Sequence, residues 1–366
     1  MKQVGKPVTG IEFIGREKEL ALLMEYMKMG QSVVLVAPRR FGKTSLVQEA
    51  IRRLKIKDYY TTFVDVFTHP SLELLSSAIV KEVLKNHKLH EQFAKAKNNV
   101  SNLIQNLKLK TVINDFQFIL GFADPAKNEW ELISESIDFV DDFAKKHQAR
   151  MLCAYDEFGD IKKFDSKGNL VKLFRSKIQQ QTNTTYIFSG SMESVMNNMF
   201  VSSKSPFYRL TRIIKLGYME KEPWVNFLET GFRKLNINIS KDYPGNIYTL
   251  CKGHPYYTHL AFQQALLQKT LYGQLPDISL LKELILITEK DYLEKVWEDI
   301  SGNKEYVYTV RAIAEDKSGV YRRLNTKGFN ISRAINNLEG MGLLFRKEDG
   351  YFISDPFFEY WIQKNM

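Results

Sequence analysis

An eight-residue stretch from Ala37 to Thr44 has the residue types and spacing of a phosphate-binding loop. It reads Ala-Pro-Arg-Arg-Phe-Gly-Lys-Thr and follows the apolar run Val33–Val36. In the template G-x-x-x-x-G-K-[ST], backbone N–H groups at a helix start bind phosphate, and the hydroxyl can bind Mg²⁺. Ala37 replaces the usual first glycine, a mild departure if its φ is negative. A chance match is the alternative, but the strand-to-helix context favours a nucleotide site.

Each residue of this loop has an expected role. Gly42 lets the backbone approach the phosphates, Lys43 places a charge at the β- and γ-phosphates, and Thr44 binds Mg²⁺. Lys43 is therefore also a candidate catalytic residue. The residues predicted to contact nucleotide here are Pro38, Arg39, Arg40, Phe41, Gly42, Lys43, Thr44 and Ser45.

A second stretch, "MLCAYDEF", predicts a buried strand that ends in two carboxylates. Carboxylates that leave a buried strand are unfavourable unless a cation or a partner awaits them. The pattern is that of a Walker B motif, in which Asp156 would hold Mg²⁺ through water and Glu157 would orient or polarise the attacking water. A strand end capped by exposed acids is the alternative.

Four further polar residues could sense the γ-phosphate. Ser189 and Ser191 end the fourth predicted strand, where a polar strand-to-helix junction is the alternative. Arg209 and Arg212 lie just before and at the start of the fifth, and either could stabilise charge in the transition state. Solvated arginines at a strand edge are the alternative for these two.

Five apolar segments predict the strands that must position these side chains. Strand, loop, helix and strand follow one another at the spacing of a βαβ unit, which favours a parallel sheet. Asp65 lies near the end of the second strand, and residues 70–148 are mostly helical, with a polar and basic middle that suggests an insertion. The predicted strands are Val33–Val36, Tyr59–Phe67, Arg150–Phe158, Thr184–Ser191 and Arg212–Met219.

The remaining chain predicts helices and one hairpin. Residues 1–220 are expected to form the nucleotide-binding domain, 221–275 a helical lid and 276–366 a winged-helix domain. The fold class is thus α/β, a P-loop NTPase with a parallel sheet flanked by helices, then a lid and a winged helix. The last domain is predicted from helices at Tyr306–Ala314, Val320–Leu324 and Ile331–Met341, an N-cap at Asn330, and a hairpin turning at Asp349-Gly350.

Composition excludes several classes of protein. No apolar run approaches the ~18 residues that span a bilayer, and the N-terminus lacks the apolar core of a signal peptide. Two cysteines, Cys153 and Cys251, cannot form a disulfide framework and suit a reducing cytoplasm. The net charge is +10, yet residues 276–366 hold 13 Lys+Arg against 15 Asp+Glu. The positive excess therefore lies outside the predicted winged helix.

Taken in order, these motifs resemble the archaeal-type P-loop ATPases of the STAND/AAA-related class, which are also widespread in bacteria. The resemblance covers nearly the whole chain. Ala37 departs from the family's usual glycine, and Arg209 follows Tyr208 where many relatives have glycine, which leaves the register of a sensing arginine open. The matching segments are "FIGRE", "APRRFGKTSL", "AYDEF", "FSGS", "SPFYR", "KGHPYYTHL" and "SDPFFEYWI".

The resemblance implies a cofactor, an activity and further contacts. Gly15 and Arg16 would pack near the adenine, while His254 and Pro255 would begin a lid helix over the nucleotide; a helix-cap histidine is the alternative for His254. The cofactors would be ATP or ADP with Mg²⁺. The implied function is a Mg²⁺-dependent ATPase acting as a nucleotide-controlled switch, with a protein partner expected and oligomers possible.

Two other functions stay open at this point. A DNA-associated regulator or mobile-element ATPase could use basic residues 81–110 and the predicted winged helix, which carries Arg333, Asn336, Asn337, Arg346 and Lys347. Acidic neighbours and the negative balance of residues 276–366 disfavour strong DNA binding. An interaction module with a structural nucleotide is the third possibility, and kinase activity is disfavoured because Glu157 suits water activation.

Overall fold

A computed structural model describes residues 4–55, 59–86, 127–191, 193–202, 205–316, 328–347 and 350–365. Its centre is a five-stranded sheet in the order β2-β3-β4-β1-β5, with every neighbouring pair parallel. The strands are β1 (Val33–Val36), β2 (Tyr60–Asp65), β3 (Met151–Asp156), β4 (Thr184–Gly190) and β5 (Arg212–Lys215). The predicted parallel α/β sheet is confirmed.

Helices cover both faces of the sheet. Side chains alternate along a strand, so Val33 and Leu35 join one apolar cluster, whereas Val34 and Val36 join another. Burial on both faces explains why these strands are continuous apolar runs. The first cluster packs on α1 (Glu17–Lys28) and α2 (Lys43–Lys55), and the second on α3 (Leu72–Leu84), α4 (Glu129–Lys146) and α5 (Asn169–Ile178). The predicted polar and basic middle spans residues 86–110, and all of it after residue 86 lies outside the described residues.

The strand register brings the candidate catalytic residues to one edge of the sheet. Asp65 pairs with Asp156, and Val36 pairs with Gly190. Strands β2, β3 and β5 end two to four residues earlier than predicted, because the chain turns as soon as it leaves the sheet. After β2, for example, the Asp65 side chain accepts the Phe67 N–H and starts a short 3₁₀ turn.

A third apolar cluster holds the rest of the chain together and contains residues from Leu228 to Ile362. It therefore draws on both sides of the predicted boundary at residues 275 and 276, which stays a prediction. After β4 come the short α6 (Glu193–Met196) and a π-helical turn (Asn197–Val201). The later helices are α7 (Lys221–Lys234), α8 (Tyr243–Cys251), α9 (Pro255–Tyr272), α10 (Ile278–Thr288), α11 (Lys290–Ser301), α12 (Lys304–Glu315), α13 (Ile331–Gly340) and α14 (Pro356–Asn365).

Part of the predicted winged helix is present. Helix α13 follows Asn330, whose side chain accepts the Arg333 N–H at 3.1 Å as an N-cap. Strands β6 (Leu344–Lys347) and β7 (Gly350–Ile353) form the hairpin. Because Lys347 pairs with Gly350, that glycine is a strand residue and not a turn residue as predicted. The middle helix predicted at Val320–Leu324 lies outside the described residues, so the winged-helix assignment stays a prediction.

Across the part of the chain that the structure describes, no helix is long and apolar enough to span a membrane.

Candidate nucleotide site

The loop between β1 and α2 makes a tight turn that leads into the start of α2. Gly42 has a φ of 84°, in the left-handed region that favours glycine, and open space surrounds it. Arg40 has a φ of 65°, which is uncommon for a residue with a Cβ. Ala37 is not among the described non-glycine residues with positive φ. Its methyl group is therefore tolerated where glycine is usual.

A cavity of about 450 Å³ opens in front of this loop, within the range of small-molecule sites. Most of its lining comes from three parts of the chain: the loop with the start of α2, the segment between Gly5 and Arg16, and the start of α9. The rest comes from Phe67, Glu157, Asp160, Ser191, Met219 and Trp224. Of the residues predicted to bind nucleotide, the cavity is lined by Arg16, Arg39, Arg40, Phe41, Gly42, Lys43, Thr44, Ser45 and Pro255, together with the predicted catalytic Glu157 and with Ser191. Pro38 lines a different cleft, behind the loop.

Lys43 is nearly buried and points back across the loop. Its Nζ donates to the carbonyl oxygens of Ala37 and Pro38, at 2.9 Å each. The ammonium group is thus already held at the loop by two neutral carbonyl oxygens. A phosphate group bound there would offer it a charged and therefore stronger acceptor.

The two predicted metal ligands meet. Thr44 Oγ1 donates to Asp156 Oδ2 at 2.7 Å, and Ser189 Oγ donates to Asp156 Oδ1. A hydroxyl and a carboxylate this close offer two hard oxygen ligands, which suit Mg²⁺. Ser189 is fully buried and does not line the cavity. Ser189 thus fixes the orientation of Asp156, and its role as a γ-phosphate sensor stays a prediction.

Glu157 follows β3 in a left-handed conformation, with a φ of 47°. Its Oε2 accepts from the backbone N–H of Ser191 at 3.0 Å and from Ser191 Oγ at 2.8 Å. Strained residues of this kind cluster at functional sites. Asp65 lies near Asp156 and Glu157. Burial raises the pKa of the Asp65 carboxyl, and the negative charges of Asp156 and Glu157 raise it further. A cation at this edge would relieve that repulsion.

Neither predicted sensing arginine lies near the loop. Arg212 begins β5 and pairs with Val33, at the amino end of β1. The phosphate-binding loop follows the carboxyl end of β1, about 10 Å further along at 3.3 Å per residue. Arg209 precedes Arg212 and packs on Tyr208, 5.3 Å from the ring centroid. Parallel strand polarity therefore puts both side chains at the opposite edge from the phosphate site of their own chain.

Arg16 lies under the site. Its Nη2 donates to the carbonyl oxygens of Gly217 and, at 3.3 Å, Phe41, while its Nη1 is 2.7 Å from Glu19. Burial lowers the pKa of this guanidinium. Gly15 has a φ of 71° and is not among the cavity-lining residues. Arg16 thus joins the loop to the strand exit after β5.

His254 and Pro255 are neighbours in sequence but have different surroundings. Pro255 begins α9 and lines the cavity. His254 is 2% exposed and lies behind the loop, with its ring 4.6 Å from that of Phe41. Burial lowers the pKa of His254 to about 3, with Arg40 and Arg16 contributing. His254 therefore packs against the loop at the start of α9 and is not among the cavity-lining residues, and its implied role over the nucleotide stays a prediction.

Sequence reasoning missed the N-terminal segment of the site. Val8 N–H donates to Ser45 Oγ at 3.1 Å, and Gly10 N–H donates to Glu49 Oε2 at 2.8 Å. These bonds place residues 5–12 along α2, where Gly5–Val8 and Glu12 line the cavity with Trp224 and His259. No local pattern signals such a contact, because backbone donors carry no sequence information.

Residues 13–260 match a family of ATPase domains found predominantly in Archaea. The chain belongs to this archaeal ATPase family. No curated protein matches the sequence.

Solved structures with the same fold are distant in sequence from this archaeal-type ATPase. The Walker-type ATPase PABY2304 of Pyrococcus abyssi is 19% identical with a TM-score of 0.71, covering 98% of this chain and 99% of its own. The ORC2 protein of Aeropyrum pernix, in ADPNP–ADP complexes, is 13% identical with a TM-score of 0.54, covering 98% and 97%. At these identities the likeness shows the P-loop ATPase fold alone.

Proposed function

We propose that the protein is a Mg²⁺-dependent ATPase whose nucleotide state sets the arrangement of its C-terminal helices. The observation that carries the proposal is the 2.7 Å contact between Thr44 and Asp156 at the rim of the loop that holds Lys43. Both cysteines are free and buried, which suits activity in a reducing cytoplasm.

The loop would bind the phosphates through its backbone N–H groups and the start of α2. Lys43 would exchange its two carbonyl acceptors for phosphate oxygens. Thr44 and Asp156 would hold Mg²⁺, which when bound neutralises charge on the β- and γ-phosphates. Glu157 lines the cavity, where its carboxylate can orient a water molecule for attack.

The switch part of the proposal rests on how the C-terminal helices meet the site. Pro255 and Tyr256 of α9 line the nucleotide cavity. On the other side of the loop, Asn336 and Glu339 of α13 line a cleft of about 430 Å³ together with Ala37 and other loop residues. Because this face of α13 is turned toward the nucleotide-binding unit, the arrangement favours coupling to the nucleotide over reading DNA.

Turnover of ATP by two variants tests the proposal. Lys43→Ala should lower steady-state turnover by at least about 100-fold, the scale of losing a preorganised transition-state donor. Glu157→Gln should lower it similarly while keeping ATP binding, because it changes one carboxylate to an amide of the same shape. Lys55→Ala and Glu129→Gln change exposed residues of the same types and are the matched controls.

The result that opposes the proposal is equally direct. Turnover that survives both Lys43→Ala and Glu157→Gln at the level of the controls would exclude this site. ADP that copurifies with the protein without any turnover would instead identify the nucleotide as structural.

A further inference from the structure

Arg40 belongs to the phosphate-binding loop, yet residues far along the chain hold its guanidinium. Arg40 Nη1 lies 2.6 Å from Glu289 Oε2, across 249 residues of sequence. The guanidinium carbon is 4.1 Å from the ring centroid of Tyr256 and 4.3 Å from that of Tyr292. Tyr256 in turn donates its hydroxyl to Glu289 Oε1 at 2.6 Å. We call these four residues the Arg40 cluster.

The cluster joins three parts of the molecule. Arg40 comes from the loop, Tyr256 from the start of α9, and Glu289 with Tyr292 from the junction of α10 and α11. The Glu289 side chain is only 7% exposed, so its charge depends on Arg40 and on the Tyr256 hydroxyl for compensation. A planar guanidinium held between aromatic faces and a carboxylate cannot be replaced by an ammonium without loss.

The backbone of Arg40 makes the loop sensitive to this cluster. A residue with a Cβ in the left-handed region is uncommon and costs free energy, so it persists where surrounding contacts hold it. The described contacts of the Arg40 side chain lie at the start of α9, in α11 and at Glu289 between α10 and α11. The conformation of the loop is therefore tied to the position of α9 and of the α10–α11 junction.

Arg40 and Tyr256 also both line the nucleotide cavity. Their contact closes one edge of that cavity, where the loop meets the C-terminal helices. Widening this edge requires the Arg40 cluster to separate, which exposes a buried carboxylate and breaks two cation–π contacts.

We propose that Glu289 is a positioning residue that, through Arg40, holds the C-terminal helices against the phosphate-binding loop and slows the release of ADP. The inference rests on the proposed function and assigns the element that couples the nucleotide to the rest of the chain. Neither the phosphate chemistry nor the family match requires a partner for Arg40.

The rate of ADP release tests this role. The fluorescent analogue mant-ADP is bound to the full chain and displaced by excess ADP, for wild type, Glu289→Gln, Arg40→Gln and the double variant. Each single variant should release mant-ADP at least about ten-fold faster, the scale of one hydrogen bond to a charged group. The double variant should be no faster than the faster single variant, because both remove the same contact. Arg40→Lys, which keeps the charge but loses the planar stack, should fall between wild type and Arg40→Gln.

The chain offers a matched control pair. Lys252 and Glu359 lie 2.7 Å apart with side-chain exposures of 31% and 8%, against 33% and 7% for Arg40 and Glu289. This pair joins the residue after α8 to α14, and neither residue belongs to the phosphate-binding loop. Lys252→Gln and Glu359→Gln should change melting temperature much as the test variants do, while mant-ADP release stays within about two-fold of wild type.

Three results would overturn the inference. The first is that the single variants release mant-ADP at the wild-type rate. The second is that the effects of the two single variants multiply in the double variant. The third is that the control variants accelerate release as much as the test variants do. If wild type hydrolyses ATP while the cluster variants release mant-ADP normally, only this inference fails. If wild type binds no mant-ADP at all, the proposed function fails with it.

Discussion

Asp156 is oriented by hydroxyl groups from two different elements, Thr44 of α2 and Ser189 of β4. Such a buried carboxylate is stabilised only while its donors stay in place. Because Thr44 is also a predicted metal ligand, the same pair can turn from a hydrogen bond to shared coordination with little movement. At the scale of single residues, the proposed Mg²⁺ site would therefore need little rearrangement to bind its ion.

His254 predicts how stability depends on pH. Its pKa in the folded protein is about 3, below the ordinary 6.5, so the unfolded chain binds a proton that the folded chain excludes as pH falls below 6.5. Stability from this neutral imidazole is complete above pH 6.5 and is lost as pH falls toward 3. Between pH 7.5 and 5.0 the loss from His254 should be about 2 kcal/mol in the free energy of unfolding.

Urea denaturation at the two pH values measures that loss in wild type and in His254→Phe, which keeps a ring against Phe41. All other titrating groups are common to both proteins, so their contributions cancel in the comparison. The variant should lose about 2 kcal/mol less than wild type on acidification. Equal losses would mean that His254 is protonated in the folded protein and that its burial does not exclude the charge.

At the scale of elements, strand polarity decides which arginines can serve the site. Arg212 lies at the amino edge of the sheet, opposite the loop. Turnover by Arg212→Ala and Arg209→Gln, measured in single-turnover assays at high dilution, should stay within about two-fold of wild type. A loss of ten-fold or more in dilute protein would contradict the polarity argument, whereas a loss confined to concentrated protein would indicate an arginine from a neighbouring subunit.

Gly253 joins two elements and predicts a large effect of one methyl group. Its φ is 73°, its carbonyl accepts the Met219 N–H at 3.0 Å, and a Cβ would overlap the Met219 carbonyl and lie 2.9 Å from Tyr248 Cε2. Gly253→Ala should therefore lower the free energy of unfolding by about 2–4 kcal/mol, from backbone strain plus overpacking.

Gly273→Ala is the matched control, since Gly273 has a φ of 75° and a Cβ added there would meet no other atom within 4 Å. Only the backbone strain remains there, so the loss should be about 1–2 kcal/mol. Chemical denaturation measures both variants. Equal losses would show that the contact with Met219 and Tyr248 yields without cost.

The elements also explain what could be predicted from the sequence. Strand β1, the loop and the carboxylates after β3 depend on local patterns, so their places were predicted to within a few residues. The partners of Arg40 and Ser45 could not be predicted, because Glu289 and the Val8 N–H reach them through tertiary packing. Chain order alone makes Arg212 a candidate for sensing the γ-phosphate. Chain order does not take into account the polarity of β5, which sets the end of that strand that lies next to the site.

At the scale of the whole molecule, the nucleotide cavity is assembled from segments that are distant in sequence. Residues from the segment 5–16, from the loop and from the start of α9 line it. Tyr218 links the end of the sheet to the residue after the C-terminal hairpin, through a 2.9 Å bond to the Ser354 carbonyl. A ligand that binds only when these segments are assembled stabilises the whole folded chain, because unfolding any one of them releases it.

Binding of ADP should therefore raise the stability of the entire protein in one transition. At a free ADP concentration 100 times its Kd, with Mg²⁺ present, the free energy of unfolding should rise by about 2.7 kcal/mol. Differential scanning calorimetry with and without ADP checks this, and Lys43→Ala should lose most of the gain while Lys55→Ala keeps it.

If Lys43→Ala gained as much as wild type, the stabilising ADP would be bound elsewhere. If only part of the chain melted at the higher temperature, the cavity would not be assembled from all three segments, because a ligand held by one domain leaves the others at their own stability.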